Sequence, residues 1–279
     1  MADGPAWDPE GYRGTLAPNV AVPGLPRQMV VTAVDLWTHT IQLRGTEEVD
    51  RAAPRWRPAA WGLATDLGST HVFEGGGGGS LSWEASFAPS LPAGARELRL
   101  FVDPEGRRIA DAGDLPPEPA VTIALPAASP TVRRAAAVLD PAAEMLRSGF
   151  RGDAEGSPVR PTRVLPVATA VDGAGERDMC VLTIDLRPDW FAVHIGGGGP
   201  LAVDDDLERA SRRLLHHGWS AGDDLGGRYA GSGCSTHSGY PWTATATLTP
   251  ALDPTARELR LTFPHPFGPG TVTATLDLR

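Results

Sequence analysis

Short runs in which apolar and polar residues alternate recur along the whole chain, each bounded by glycine, proline or aspartate. Val30–Leu36 (VVTAVDL), His39–Leu43 (HTIQL) and Val181–Leu186 are rich in β-branched residues. In Thr271–Leu278 (TVTATLDL), Val272, Ala274 and Leu276 fall on one face, with threonine and aspartate on the other. Two ARELRL segments, Ala95–Leu100 and Ala256–Leu261, alternate in the same way. A period of two with one wet face predicts antiparallel strands.

The strands come in two sets. WGLATDLGSTH (Trp61–His71) and WSAGDDLGGRY (Trp219–Tyr229) share a Trp, Asp-Leu-Gly frame with equal spacing from Trp to Asp66 and Asp224. Ala33–Leu43 precedes the first frame as Thr183–Ile195 precedes the second, with two further residues in the second copy. A glycine-rich stretch follows each frame. Then Trp83–Leu100 matches Trp242–Leu261, and Ala120–Pro126 matches Thr271–Leu278. Matched blocks in one order mark a tandem duplication. The predicted architecture is all-β, two tandem antiparallel Ig-like β-sandwiches. The first spans 1–126 and the second 163–279, with a linker at 127–162.

Asp-Leu-Gly reads as a tight turn. Aspartate accepts from backbone N–H groups and glycine supplies positive φ. A calcium loop needs more converging oxygens than Asp66, or Asp223 with Asp224, provide. Two segments look helical. In the linker, Asp140 caps Pro141–Ser148 and Gly149 stops it. In the second copy an inserted helix is predicted over 204–217, with Leu207, Ala210, Leu214 and Leu215 on one side. It covers a sheet edge or binds a partner.

Composition narrows the partners. Among 279 residues the net charge is −9, and all 25 basic residues are arginine. An acidic chain excludes nucleic-acid phosphate as the expected partner. No run of 18 apolar residues suggests a membrane span, and the N-terminus has no secretory pattern, so a cytoplasmic location is expected. Cys180 and Cys234 fit no metal spacing and read as free thiols.

The residues offer little chemistry. His39, His71, His194, His216, His217, His237 and His265 contain no zinc spacing, and His216 and His217 point to different sides of a helix. Gly233–Gly239 brings Cys234, Ser235 and His237 together without a placed orienting acid, apart from Asp223 or Asp224. Gly75–Gly79 and Gly196–Gly199 lack a phosphate-loop ending and read as hairpin loops. Arg151-Gly152-Asp153 is a chance tripeptide in the linker. No glycosidase pair stands out. No catalytic, cofactor-binding or metal-binding residue is assigned, and no cofactor is expected.

The V/I-D-L strand, the Trp-led strand, the DLG turn and the P-x-L…ARELRL pattern resemble an immunoglobulin-like domain class of uncharacterised actinobacterial proteins. They are also similar to Ig-like domains in the extracytoplasmic parts of anti-sigma-factor-like membrane proteins. The resemblance implies a sandwich fold and no catalytic residues. The expected function is a non-enzymatic protein-interaction or scaffold protein whose partner is another protein, with tandem domains allowing bivalent binding. The alternative is a small-molecule or carbohydrate-binding module, with Trp37, Trp56, Trp190 and Tyr240 as its aromatic candidates.

Overall fold

The computed structural model describes residues 11–25, 28–47, 60–78, 82–103, 105–128, 130–140, 160–172, 179–197, 210, 212–215, 218–237, 242–266 and 268–279. The chain divides into two compact units, Tyr12–Thr131 with Glu155–Pro161, and Val132–Ala154 with Thr162–Arg279 (Met1–Gly11 being grouped with the latter).

The first unit is one continuous sheet. Its strands are β1 (Tyr12–Leu16), β2 (Val20–Val22), β3 (Met29–Trp37), β4 (Ile41–Glu47), β5 (Trp61–Thr65), β6 (Thr70–Gly78), β7 (Ser82–Ala88), β8 (Glu97–Val102) and β9 (Val121–Ala124). They run in the order β1-β3-β4-β7-β6-β5-β8-β9, with β2 beside β3. The sheet curls around Ile41, Leu43, Trp61, Leu63, Trp83, Phe87, Leu98 and Leu100.

The second unit is a closed barrel. Its strands are β10 (Arg133–Asp140), β11 (Arg163–Asp172), β12 (Met179–Leu186), β13 (Phe191–Gly197), β14 (Gly218–Asp223), β15 (Arg228–His237), β16 (Trp242–Thr249), β17 (Glu258–Pro264) and β18 (Thr271–Asp277). The order β11-β12-β13-β16-β15-β14-β17-β18 repeats that of the first unit, and β10 fills the gap between β18 and β11. Nine strands cannot alternate in direction all the way around a ring, so one neighbouring pair must be parallel. That pair is β10–β11; β10–β18 is antiparallel.

The predicted pair of Ig-like sandwiches is therefore wrong. A sandwich has two sheets with separate edges. Here β4–β7 and β13–β16 pairing, with β5–β8 and β14–β17, joins every strand of a unit into one curled sheet. Inward and outward positions alternate along a strand in either architecture, so alternation alone does not separate them. Strand β10 lies in the stretch assigned to the linker. It is alanine-rich and mostly exposed, with only alternate residues half-buried, so its pattern was faint. The linker helix at Pro141–Ser148 lies outside the described residues. Of the inserted helix, residues 210 and 212–215 are described and helical. Leu214 is buried in the barrel core, and its carbonyl accepts from the Trp219 indole at 3.0 Å.

The register shows how the copies correspond. Leu36 faces Ile41 and Leu186 faces Phe191, so the hairpins are equal in length and the two supposed extra residues vanish. Trp83 faces Gly45, and the equivalent pair is Ala244 facing Ile195. Large and small have exchanged strands, so each pair still sets a bulky side chain opposite a small one. A Cβ on Gly45 would sit 2.1 Å from the Val30 carbonyl and 2.3 Å from the Trp83 ring. Trp242 lies two residues from Trp83's equivalent and packs over Gly197. The glycine runs are strand, not loop: Gly75–Gly78 belong to β6, and Gly196 and Gly197 to β13.

The repeated frame is a turn, and it has a second task. Gly68 (φ +81°) and Gly226 (φ +89°) adopt the left-handed backbone that glycine favours. Asp66 accepts from the N–H groups of Arg96 (2.9 Å) and Glu97 (3.2 Å). Asp224 accepts from Arg257 (2.9 Å) and Glu258 (3.2 Å) in the same way. The two repeated motifs, Asp-Leu-Gly and Ala-Arg-Glu, thus bond to each other. In each case the bond from the arginine N–H, foremost, holds the carboxyl below its usual pKa. The aspartates stay charged at neutral pH, and the turns stay tied.

Candidate functional site

The first unit lacks the strand that closes the second, and a cavity of about 310 Å³ lies at the Arg13 end of the open seam, away from Val20–Val22, the counterpart of the β11 residues that β10 pairs. Arg13 comes from β1, Leu36 and Trp37 from the end of β3, Leu91 and Arg96 from the β7–β8 connection, and Leu125 from the residue after β9. Both free edges of the sheet contribute to it. The chain after Leu125 returns over β1: Gly14 (φ +130°) leaves room for Pro130, which a Cβ would meet at 2.4 Å. The Leu125 N–H donates to the Arg96 carbonyl at 2.7 Å. With Asp66 holding its N–H, Arg96 has a fixed backbone and an exposed side chain.

Trp37 is 4% exposed, and its ring centroid lies 5.0 Å from that of Tyr12. Its indole N–H has no hydrogen-bond partner among the described residues. Leaving such a donor buried costs about 1–3 kcal/mol unless something accepts from it. Arg13 and Arg96 are the only charged residues described on the wall, and no ion pair is described for either. The arrangement can hold a small molecule with an apolar body and an acceptor group. At about 310 Å³ it is at the small end of ligand pockets.

Two buried polar clusters on the strands were missed from sequence. Arg44 donates to Asp35 through Nε (2.5 Å) and Nη2 (3.1 Å), and Thr15 Oγ1 donates to Asp35 at 2.5 Å. Gln42 Nε2 donates to Glu84 at 3.1 Å. At the equivalent place in the barrel, His194 Nε2 lies 3.2 Å from Asp185 Oδ2, an ion-pair distance but not an aligned hydrogen bond. Its Nδ1 is 2.9 Å from Thr245 Oγ1. A hydroxyl, imidazole and carboxylate in line suggest a nucleophile with its base. Register places His194 where the other copy has Arg44, and Thr245 where it has Glu84. An ion pair at the same place, with all three residues 6% exposed or less, marks this as architecture. The signal was available: Asp and base are nine residues apart in both copies.

His71 is fully buried, donating from Nδ1 to the Pro89 carbonyl at 2.6 Å, with Ser69 Oγ 3.3 Å from Nε2. Burial, opposed by the Pro89 bond, lowers its pKa. Tyr229 holds the equivalent place and donates to Asp223 at 2.5 Å. Burial, then that bond, pushes its pKa up to about 12.

The other sequence candidates scatter. Trp190 is half-buried with the Arg187 guanidinium 4.7 Å over its ring. Trp56, Tyr240, His216, His217 and Arg151-Gly152-Asp153 lie outside the described residues, as do the side chains of Cys234, Ser235 and His237. His39 is exposed, whereas His265 and Cys180 are buried. Among the described residues no group of three His, Cys, Asp or Glu could hold a metal, and no helix is long and apolar enough to cross a membrane.

No family model matches the sequence, and no curated protein matches it. A solved structure, the crystal structure of the conserved domain protein from Bacillus anthracis, is similar over 95% of this chain and 83% of that one, at 12% identity and a TM-score of 0.24.

Proposed function

We propose that the protein is a non-enzymatic binding protein whose first unit takes a small molecule in the seam cavity. The observation that carries this is the asymmetry of the duplication. One copy is sealed by β10; the other has no such strand and leaves a cavity at the Arg13 end of its open seam, walled by Arg13, Trp37, Arg96 and Leu125. The test is a small-molecule screen on the full chain, followed through the Trp37 indole N–H signal in ¹H–¹⁵N NMR and assigned with Trp37→Phe. Binding at the seam shifts that signal; a screen in which it never moves removes the proposal.

A protein-interaction scaffold has separate support in Leu67 and Leu225. Each is 56% exposed, at the tip of the repeated turn in its own copy. Two equal apolar tips suit bivalent contact. Replacing both by serine would abolish stoichiometric capture of a protein partner while sparing ligand binding. Undiminished capture would remove this second reading.

A further inference from the structure

We infer that the seam cavity selects a small organic anion, one carboxylate-sized charged group on a compact apolar body, with Arg13 and Arg96 as its selectivity residues. This rests on the proposal that the cavity binds a small molecule. The chain carries 34 Asp and Glu residues, yet none is among the described residues of the cavity wall. Its charged residues are two exposed arginines, Arg13 on β1 and Arg96 just before β8. Neither guanidinium has a described counter-charge, so each is available to donate to a bound carboxylate. Arginine suits the role because its planar fork matches a carboxylate.

The rest of the wall is apolar. Leu36, Leu91 and Leu125, with neighbouring prolines and alanines, offer nothing to a sugar's many hydroxyls and much to a ring or a short branched chain. The volume is that of about ten waters, enough for a single ring with a short acidic arm. A cation would lose its hydration against two arginines and gain nothing.

The test uses the full chain and three probes of one shape: phenylacetate, phenylacetamide and phenethylamine, with inorganic phosphate as the fourth. Each is titrated against the Trp37 indole signal. Phenylacetate is expected to bind about tenfold or more tighter than the amide, a difference of about 1.4 kcal/mol. Its affinity should fall as salt is raised, while that of the amide holds. Arg13→Ala and Arg96→Ala each weaken phenylacetate about tenfold and leave the amide unchanged.

Equal binding of acid and amide, or tightest binding of the amine, overturns the charge selection while leaving the cavity proposal standing. Phosphate competing as well as phenylacetate overturns the apolar body. No response from Trp37 to any probe, nor to the wider screen, removes both proposals. The salt dependence is read on the unsubstituted protein, so a misfolded variant does not protect the inference.

Discussion

Replacing Arg44 by methionine should strip the first unit of a large part of its stability. Asp35 is fully buried and Arg44 is 2% exposed. The guanidinium makes two of the hydrogen bonds that reach the carboxylate, and Thr15 makes a third. Without Arg44 the carboxylate remains buried with a hydroxyl as its remaining described donor. Removing one partner of a buried pair costs about 3–5 kcal/mol. A domain is stable by about 5–15 kcal/mol in all. For a unit of this size 1 kcal/mol lowers Tm by about 4 °C, so a fall of about 12–20 °C is expected in scanning calorimetry. Asp35→Leu combined with Arg44→Met removes both charges and should return to within about 2 kcal/mol of the unsubstituted protein, since a buried pair is often no better than apolar packing. A loss under about 1 kcal/mol in Arg44→Met, or a double variant as unstable as the single, would refute the reasoning.

Three further outcomes are expected. Gly45→Ala, which drives a methyl into the Val30 carbonyl and Trp83, should destabilise by about 2–3 kcal/mol in urea titration, whereas Gly75→Ala, with open space around its Cβ, should leave packing undisturbed. His71 is held neutral by burial, so only the unfolded chain takes a proton there as pH drops below 6.5. Its contribution is complete above that pH and is lost on acidification, at up to about 1.4 kcal/mol per pH unit, and His71→Gln should flatten that slope. Tyr229 stays protonated until about 12, while the unfolded side chain ionises near 10. Its contribution is therefore present below pH 10 and lost as pH rises through 12. Tyr229→Phe should remove a step near pH 12 from a phenolate absorbance titration; an unchanged titration would contradict the assignment.

The strands were legible because alternation is local, and the duplication because two motifs recur whole. What the sequence hid was non-local. Whether Ile41–Glu47 pairs with Ser82–Ala88 in a curled sheet or packs across from it in a sandwich leaves the same residues inward. Strand β10 was hidden differently. Its Arg-Arg-Ala-Ala-Ala sequence buries little, so its place depends on pairing β11 and β18 more than on its own apolar face. The first strands also escaped notice. LAPNVAV (Leu16–Val22) and LPVATAV (Leu165–Val171) are equivalent, with Asn19 (φ 46°) and Ala168 (φ 45°) at the same irregular point of the first strand stretch in each copy. The seam cavity has one signal in the sequence, Trp37, which reads there as one of four aromatic candidates for a small-molecule or carbohydrate site. Its importance comes from residues far along the chain that only the curled sheet brings near.

The duplication also separates what the fold needs from what one copy is free to change. The Asp-Leu-Gly turn tied to Ala-Arg-Glu is kept in both copies, and so is the nine-residue step from a buried aspartate to a base. Either bond lost would leave a curled sheet with a loose hairpin or an unpaired buried charge, so both copies retain them. At the seam the copies part company. The barrel spends a whole strand on closure, and that strand exposes Val138 at 68% and Leu139 at 43%. The first unit does without such a strand, and the chain after β9 returns over β1 with Pro130 on Gly14. The cavity wall instead carries Arg13 and Arg96, both exposed and with no described ion pair. The fold does not draw on the Arg13 side chain, so Arg13→Ala should change stability by no more than about 0.5 kcal/mol, as an exposed surface substitution does. A large fall in Tm would return Arg13 to the architecture.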